Sequence, residues 1–345
     1  MEGSYQYTVC TQCFTFNQER YILDALNGFV AQNTSFPVVY LIVDDASTDN
    51  EPQILRSYYE RHFDLLDSSV AYQEETEYGT ILYGQHVTNR LCYFAFLLLK
   101  ENHYSQKKDK TPYLLRWRKH SKYIALCEGD DYWTDPLKLQ KQIDYMDSHP
   151  DCMLTVHSAN WQTDDSVFPW GCQEAFPRDY SIEELIRCGG LYFATASFVF
   201  RFELSNDWPE WRRKASVGDF PLQILSGLRG NVHYLPDNMC VYRYLHEGSW
   251  SSNRQSKTTN NSFQKNKIEW MTLLNDETGG KYQKAIYDQL FQHYISLYNH
   301  CEISFWEYAK AVQMSGQKRY GRLMKDFLRR NLSPVFRFLN FLRKK

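Results

Sequence analysis

Residues 38–50 read VVYLIVDDASTDN. Six apolar residues in a row, four of them Val or Ile, describe a strand buried on both faces, as in the middle of a parallel sheet. The run stops at Asp44-Asp45 and gives way to small polar residues. A helical spacing follows through Ile54, Leu55, Tyr58 and Tyr59. Upstream, residues 7–16 (YTVCTQCFTF) predict a first strand, rich in β-branched and aromatic residues. Asn17 is read as the cap of a helix carrying Tyr21, Ile22, Ala25, Leu26, Phe29 and Val30 at helical spacing, and Pro37 marks the turn into the next strand. Strand, helix, strand, helix in this order predicts an α/β fold with a mostly parallel, doubly wound sheet.

A second stretch, YIALCEGDDYW at residues 123–133, repeats the pattern: an apolar strand that ends in acids. Asp135-Pro136 then suits a cap and first turn for the helix through Leu137, Leu139, Ile143 and Met146. Between the two stretches, residues 64–120 predict a strand near Val70–Tyr72 and an apolar helix near Leu91–Leu99. The tract KKDK at 107–110 reads as a solvated loop. Beyond Pro150, strands are expected at Met153–His157, Thr195–Arg201, Val232–Leu235 and Met239–Tyr244, with a helix from Asp219 to Leu228. The polar, turn-rich residues 252–262 mark a boundary, and the chain after it has helical spacing. The expected organisation is a catalytic domain at 1–252, with 1–135 holding a nucleotide and 136–252 an acceptor, and a helical extension at 253–345.

In open parallel sheets, ligands bind outside the carboxyl ends of the strands. Two strands here end in acid pairs, Asp44-Asp45 and Glu128/Asp130-Asp131. Close carboxylates repel unless something positive lies between them. Mg²⁺ and Mn²⁺ take oxygen ligands, commonly one or two carboxylates plus substrate phosphates. The matched strand ends therefore predict a site for a divalent cation and a diphosphate, against the plainer reading of strand-end caps and an Asx turn. Asp219, in SVGDFPL, is placed to serve as a general base or as a helix N-cap. His246 is a further candidate for metal or phosphate and Arg243 for phosphate. Trp133 suits packing on a sugar ring or pinning its loop.

Composition sets limits. The 345 residues carry a net charge of −2, so nothing points to nucleic acid. Hydrophobic residues at 43% allow a real core, and aromatics at 16% include 26 Tyr and 9 Trp, whose apolar faces and polar tips suit sugars and bases as well as a core. Nine scattered cysteines without a leading secretory pattern predict reduced thiols and a cytoplasmic protein. Cys10 and Cys13 form a CxxC with no second pair, inside a predicted strand, which favours buried thiols over zinc. No apolar run reaches the roughly 18 residues of a membrane span.

Together these segments resemble glycosyltransferase family 2, with its GT-A fold, over residues 7–252. CFTFNQERYILDALNGFVAQ is similar to the family's opening strand and helix. Phe14 stands where proline is usual and Phe16 where tyrosine is, so stacking on a base is retained. The resemblance places Phe14, Thr15, Phe16, Asn17 and Glu19 on the donor nucleotide. IVDDASTDN is similar to the nucleotide-binding motif, which implies that Asp44 bonds the base and that Asp45 or Ser47 supports the loop. CEGDDYW resembles the family's form of the D-x-D motif, implying Asp130 at the ribose and metal edge and Asp131 on Mn²⁺ or Mg²⁺. VGDFPL is similar to the segment of the catalytic base, and YRYLHEGSWS to a late histidine-serine loop. The implied reaction is inverting transfer from a nucleoside diphosphate sugar, expected to be uridine-linked, to a glycan or lipid-linked glycan, as in bacterial surface-polysaccharide synthesis. A nucleotide-sugar-binding protein without transfer and a nucleotidyltransferase are the rival readings. The basic, apolar tail at 325–345 predicts contact with an anionic membrane surface at the cytoplasmic face, or a helix docked on the protein.

Overall fold

A computed structural model describes residues 5–163, 166–244, 257–315 and 320–331. The chain divides into two compact units. One holds Met1–Tyr180, Gly190–Asp207 and Leu225–Ser252, and the other Ser181–Gly189, Trp208–Ile224 and Asn253–Lys345.

The first unit is built on one sheet. Its centre is formed by β1 (Tyr7–Thr15), β2 (Val38–Asp44), β5 (Cys92–Leu99) and β6 (Ser121–Leu126), in the order β6-β1-β2-β5 and all parallel. Every residue of β2 is buried, as its unbroken apolar run requires. Beyond β5 lie the antiparallel strands β4 (Gly79–Gln85) and β3 (Ala71–Glu75). On the other side, β11 (Val199–Arg201) runs antiparallel between β6 and β8 (Cys152–Gln162), and β8 pairs in parallel with β12 (Asn231–Arg243). Three short strands complete the sheet: β7 (Tyr132–Trp133) and β10 (Arg178–Tyr180) on β12, and β9 (Val167–Trp170) on β8.

Helices α1 (Ile22–Val30), α2 (Glu51–His62), α3 (Thr111–Arg118) and α4 (Lys138–Ser148) belong to this unit. Gly28 lets α1 press on β7, since a Cβ there would lie 2.8 Å from the Trp133 carbonyl oxygen. The core joins Phe29, Tyr40, Phe94 and Trp133 with Ile42, Leu139 and Ile143.

Six expectations change. Of the strand expected at Thr195–Arg201 only Val199–Arg201 is strand, after a 3-10 turn at Thr195–Ser197, and α4 is capped at Leu137 and not at Asp135. Leu91–Leu99 is not a helix: CYFAFLLL forms β5, paired on both sides. The two strands expected at 232–244 are one strand, β12, with register shifts between Leu235 and Cys240. Asn17 does not cap α1, which starts at Ile22 after a turn. Lys110, the last residue of the KKDK tract, is not a solvated side chain but is paired within the first unit.

The second unit is helical: α5 (Ile182–Cys188), α6 (Glu210–Lys214), the start of α7 (Asp219–Arg229), α8 (Lys257–Glu277), α9 (Gln283–Asn299), α10 (Phe305–Met314) and α11 (Tyr320–Asn331). Capping boxes at Ser181/Glu184 and Ser304/Glu307 start α5 and α10. Trp211 and Trp270 stack at 6.0 Å, and Phe291, Ile295, Tyr298, Tyr308 and Val312 form a second cluster.

Candidate active site

Three loops leave the same edge of the first unit's sheet, because β1, β2 and β6 are adjacent and parallel. They are residues 16–21, 45–50 and 127–131. Backbone bonds tie them together: Gly129 N–H donates to the Phe14 carbonyl at 2.9 Å, and Asp45 N–H to the Thr15 carbonyl at 3.0 Å. Gly129 is a glycine for lack of room, since a Cβ would stand 2.4 Å from Gln18 Oε1 and 2.5 Å from Thr15 Oγ1. The Asp44/Asp45 and Asp130/Asp131 segments thus open at one place, as strand order alone predicts.

The loop at 45–50 is held by carboxylates. Asp44 is 1% exposed; one of its oxygens accepts from Ser47 N–H at 3.1 Å and also from the Ser47 hydroxyl. Burial pushes its carboxyl up to about 6, against the pull of those two bonds. Glu51, fully buried, accepts from Thr15 Oγ1 and from Gln18 N–H at 2.9 Å, and it lies 3.0 Å from Ser47 Oγ. Its carboxyl is pushed up to about 7, again by burial. Asn17, in a left-handed conformation at φ 55°, accepts from Thr48 N–H at 2.7 Å, and its own N–H donates to Ser47 Oγ at 2.8 Å. Glu19 accepts from both the backbone and the side chain of Asn50 at 2.9 Å. Ala46, between the acids and Ser47, also has a positive φ of 62°.

Asp45 overturns the idea that one cation serves both acid pairs. Its oxygens accept from His103 N–H at 2.9 Å, Tyr104 N–H at 3.0 Å and Lys110 Nζ at 2.7 Å. The protein itself supplies the positive partner. Lys110 also stands 5.1 Å over the ring of Phe14. Phe16 is 42% exposed at the mouth of the loop, while Thr15 is buried beneath it.

Across the edge, Asp131 is 1% exposed and its Oδ1 accepts from the Arg243 N–H at 2.9 Å. Burial raises its carboxyl well above the ordinary range, and Asp130 and Glu128 raise it further by repulsion. Both neighbours are half-buried. Arg243 does not offer an open guanidinium for phosphate: it donates to the Asp130 carbonyl at 2.7 Å, pairs with Asp24, and lies over the rings of Tyr21 and Tyr132. Trp133 is turned into the core instead of toward a ligand. Its Nε1 donates to the Ala196 carbonyl at 2.9 Å, and the buried Lys138 ammonium sits 4.1 Å over its ring.

Hard oxygen ligands that repel one another suit Mg²⁺ or Mn²⁺, so the residues at 128–131 fit such an ion. No three acidic, imidazole or thiolate side chains are gathered into a metal cage among the described residues. His246 lies outside the described residues.

Asp219 belongs to the second unit, where it is the first residue of α7. Its Oδ1 accepts from Phe220 N–H at 2.7 Å, so it serves the helix start. Burial raises its carboxyl, and the charges of Arg212 and Lys267 draw it back. In the tail, Tyr308 Oη donates to Asp326 at 2.8 Å and Phe327 meets Phe305 at 4.7 Å, so α11 docks on α10 through these residues. Residues 332–345 lie outside the described part. No helix among the described residues is long and apolar enough to cross a membrane.

Glu51, Lys110, Gln18 and Asp24 are parts of this edge that sequence reasoning missed. A lone glutamate at a helix start or a lysine in a charged tract carries no sign of burial. The one legible hint was Glu51 at the first turn directly after the acid loop.

Uncharacterized proteins of Mycobacterium tuberculosis and Mycobacterium bovis are 33% identical to this chain over 242 residues, 69% of this chain and 59% of theirs. The chain therefore spans about three fifths of the length of these relatives. Staphylococcus aureus TarS, residues 1–349 in complex with UDP-GlcNAc, has a similar fold: the TM-score is 0.53 at 14% identity, covering 89% of this chain and 79% of that one. The model of glycosyl transferase family 2 matches residues 14–76. That segment contains Phe14–Glu19, Asp44–Ser47 and Glu51, and the chain, similar to glycosyl transferase family 2 over these residues, has the GT-A fold.

Proposed function

We propose that the protein transfers a sugar from a nucleoside diphosphate sugar to an acceptor hydroxyl, with inversion at the anomeric carbon. One observation carries the reading: the loops at 16–21, 45–50 and 127–131 leave one sheet edge and are bonded to each other through Gly129, Thr15 and Asp45. The base would lie on Phe14 and Phe16 above the loop that Asp44, Ser47 and Glu51 keep in shape. A uridine-linked donor is the favoured kind, the kind bound by TarS.

Asp131, with Asp130 and Glu128 beside it, would hold Mn²⁺ or Mg²⁺, which neutralises charge on a departing diphosphate. Arg243 fixes this loop by bonding Asp131 through its N–H and Asp130 through its guanidinium. Asp219 is the proposed base that takes the acceptor proton, on the strength of its VGDFPL motif, and its raised carboxyl pKa favours proton uptake. A glycan or lipid-linked glycan of the cell surface is the proposed acceptor, met at the cytoplasmic face of a membrane.

Calorimetric titration with UDP and with GDP, with and without Mn²⁺, tests the reading. Binding strengthened by Mn²⁺ is expected. Absence of nucleotide binding under both conditions would end it.

A further inference from the structure

The ends of β8, β9 and β12 carry an aromatic face that the donor site does not use. Trp161 lies 5.2 Å from Phe168, 6.3 Å from Trp170 and 5.3 Å from Tyr244, and Trp170 lies 5.2 Å from Tyr242. Register explains the grouping. Trp161 is opposite Phe168 on β9 and beside Tyr242 on β12, and residues two apart on a strand share a face. The rings are inclined at 34° to 80° to one another, which makes a faceted surface and not a flat stack. Trp170 and Tyr242 lean on the core, whereas Phe168 is 44% exposed and Val167 51%.

Three features narrow the ligand. The stretch from Ser158 to Gln173 contains no lysine or arginine, so it offers nothing to a phosphate or an anionic lipid headgroup. Aliphatic side chains are scarce there, Val167 being the one large example, so a lipid chain or an amphipathic helix would find few partners. What remains is ring faces with indole and phenol tips among amides, in a stretch whose charged residues are the acids Asp164 and Asp165, which disfavour an anionic ligand. A pyranose matches this: one side of the ring is a patch of C–H groups, and its rim is hydroxyls.

The face also joins the acid loop. Tyr132 Oη donates to Gln162 Oε1 at 3.1 Å, and Tyr244 N–H to the Gln162 carbonyl at 3.0 Å. Arg243, which holds Asp131, is the last residue of β12, between Tyr242 and Tyr244 in the chain. From these observations we infer that Trp161, Phe168, Trp170, Tyr242 and Tyr244 form an acceptor subsite for a neutral pyranose chain. The inference rests on the glycosyl-transfer reading and adds to it the chemical class of the acceptor.

The test uses the full chain on an array of neutral cello-, malto- and chito-oligosaccharides, with UDP titrated in parallel. Phe168→Ala, at an exposed position, and Trp161→Ala are each expected to lower glycan affinity about tenfold and to leave UDP affinity unchanged. UDP binding without retention of any glycan, or glycan binding unmoved in both variants, overturns the inference and leaves the donor reading standing. So does a loss in both variants of co-sedimentation with phosphatidylglycerol vesicles in place of glycan binding. A chain that binds neither UDP nor GDP removes the inference together with the reading beneath it.

Discussion

Lys110 Nζ lies 2.7 Å from the carboxylate of Asp45, across 65 positions of sequence. The pair is largely buried, with side-chain exposures of 15% and 4%. It closes the acid pair at the end of β2 from within the protein and leaves the loop at 128–131 as the proposed place for a cation. Removing one partner of a buried pair strands the other charge, so Lys110→Met is expected to cost about 3 kcal/mol of stability. Lys122→Ala, which breaks the exposed pair with Asp147, is expected to cost less than about 1 kcal/mol. Equal shifts of the urea midpoint for the two variants would contradict this account of Asp45.

Gly129 has no room for a side chain between Thr15 and Gln18. Gly129→Ala must therefore part the loops after β1 and β6. UDP affinity is expected to fall by about tenfold or more, for about 1–3 kcal/mol of strain. Circular dichroism should keep its α/β character. Unchanged UDP affinity would mean that the contact between these loops does not shape the site.

Ala46 holds a φ of 62°, a conformation that costs an L-residue about 1 kcal/mol and glycine almost nothing. Ala46→Gly should raise stability by a few tenths to about 1 kcal/mol, after the greater freedom of glycine in the unfolded chain is subtracted. A thermal midpoint below that of the parent would argue against this backbone geometry.

Much of this edge was legible in the sequence for a physical reason. A strand buried on both faces must be apolar throughout, so VVYLIV declared itself, and acids at its end mark the edge where backbone pairing stops. The same rule misled at CYFAFLLL. Eight apolar residues have no period to separate a buried helix from a buried strand, and the tertiary partners β2 and β4 decided the matter. Lys110 and Glu51 escaped notice because each is ordinary in its own neighbourhood. Only the fold brings Asp45 to one and Thr15 and Ser47 to the other. Asn17 does act as a cap, but of the loop at 48–49 and not of the helix that follows it.

Glu51 ties pH to stability. Burial pushes its carboxyl up to about 7 from an ordinary value of 4.5, so ionisation costs more in the folded chain than in the unfolded one. Its contribution is intact below pH 4.5 and is lost as pH rises through 7. The loss is on the order of 3 kcal/mol. Denaturation measured from pH 5 to 8 should show stability falling, and Glu51→Gln should flatten part of that fall. An unchanged slope in the variant would place the titration elsewhere.

Asp219→Asn keeps the bond from Phe220 N–H within reach and removes the proton acceptor. Donor binding is expected to persist while transfer falls about 10²–10⁴-fold. Transfer close to the parent rate would take Asp219 out of the base role.

The loop at 128–131 bears most of the weight, and Asp131→Asn addresses it directly. The measurement is UDP affinity as a function of Mn²⁺ concentration, in the parent and in the variant. Mn²⁺ is expected to tighten UDP binding in the parent and to have little effect in the variant, while binding without metal is similar in both. Equal Mn²⁺ enhancement in the two proteins would contradict it.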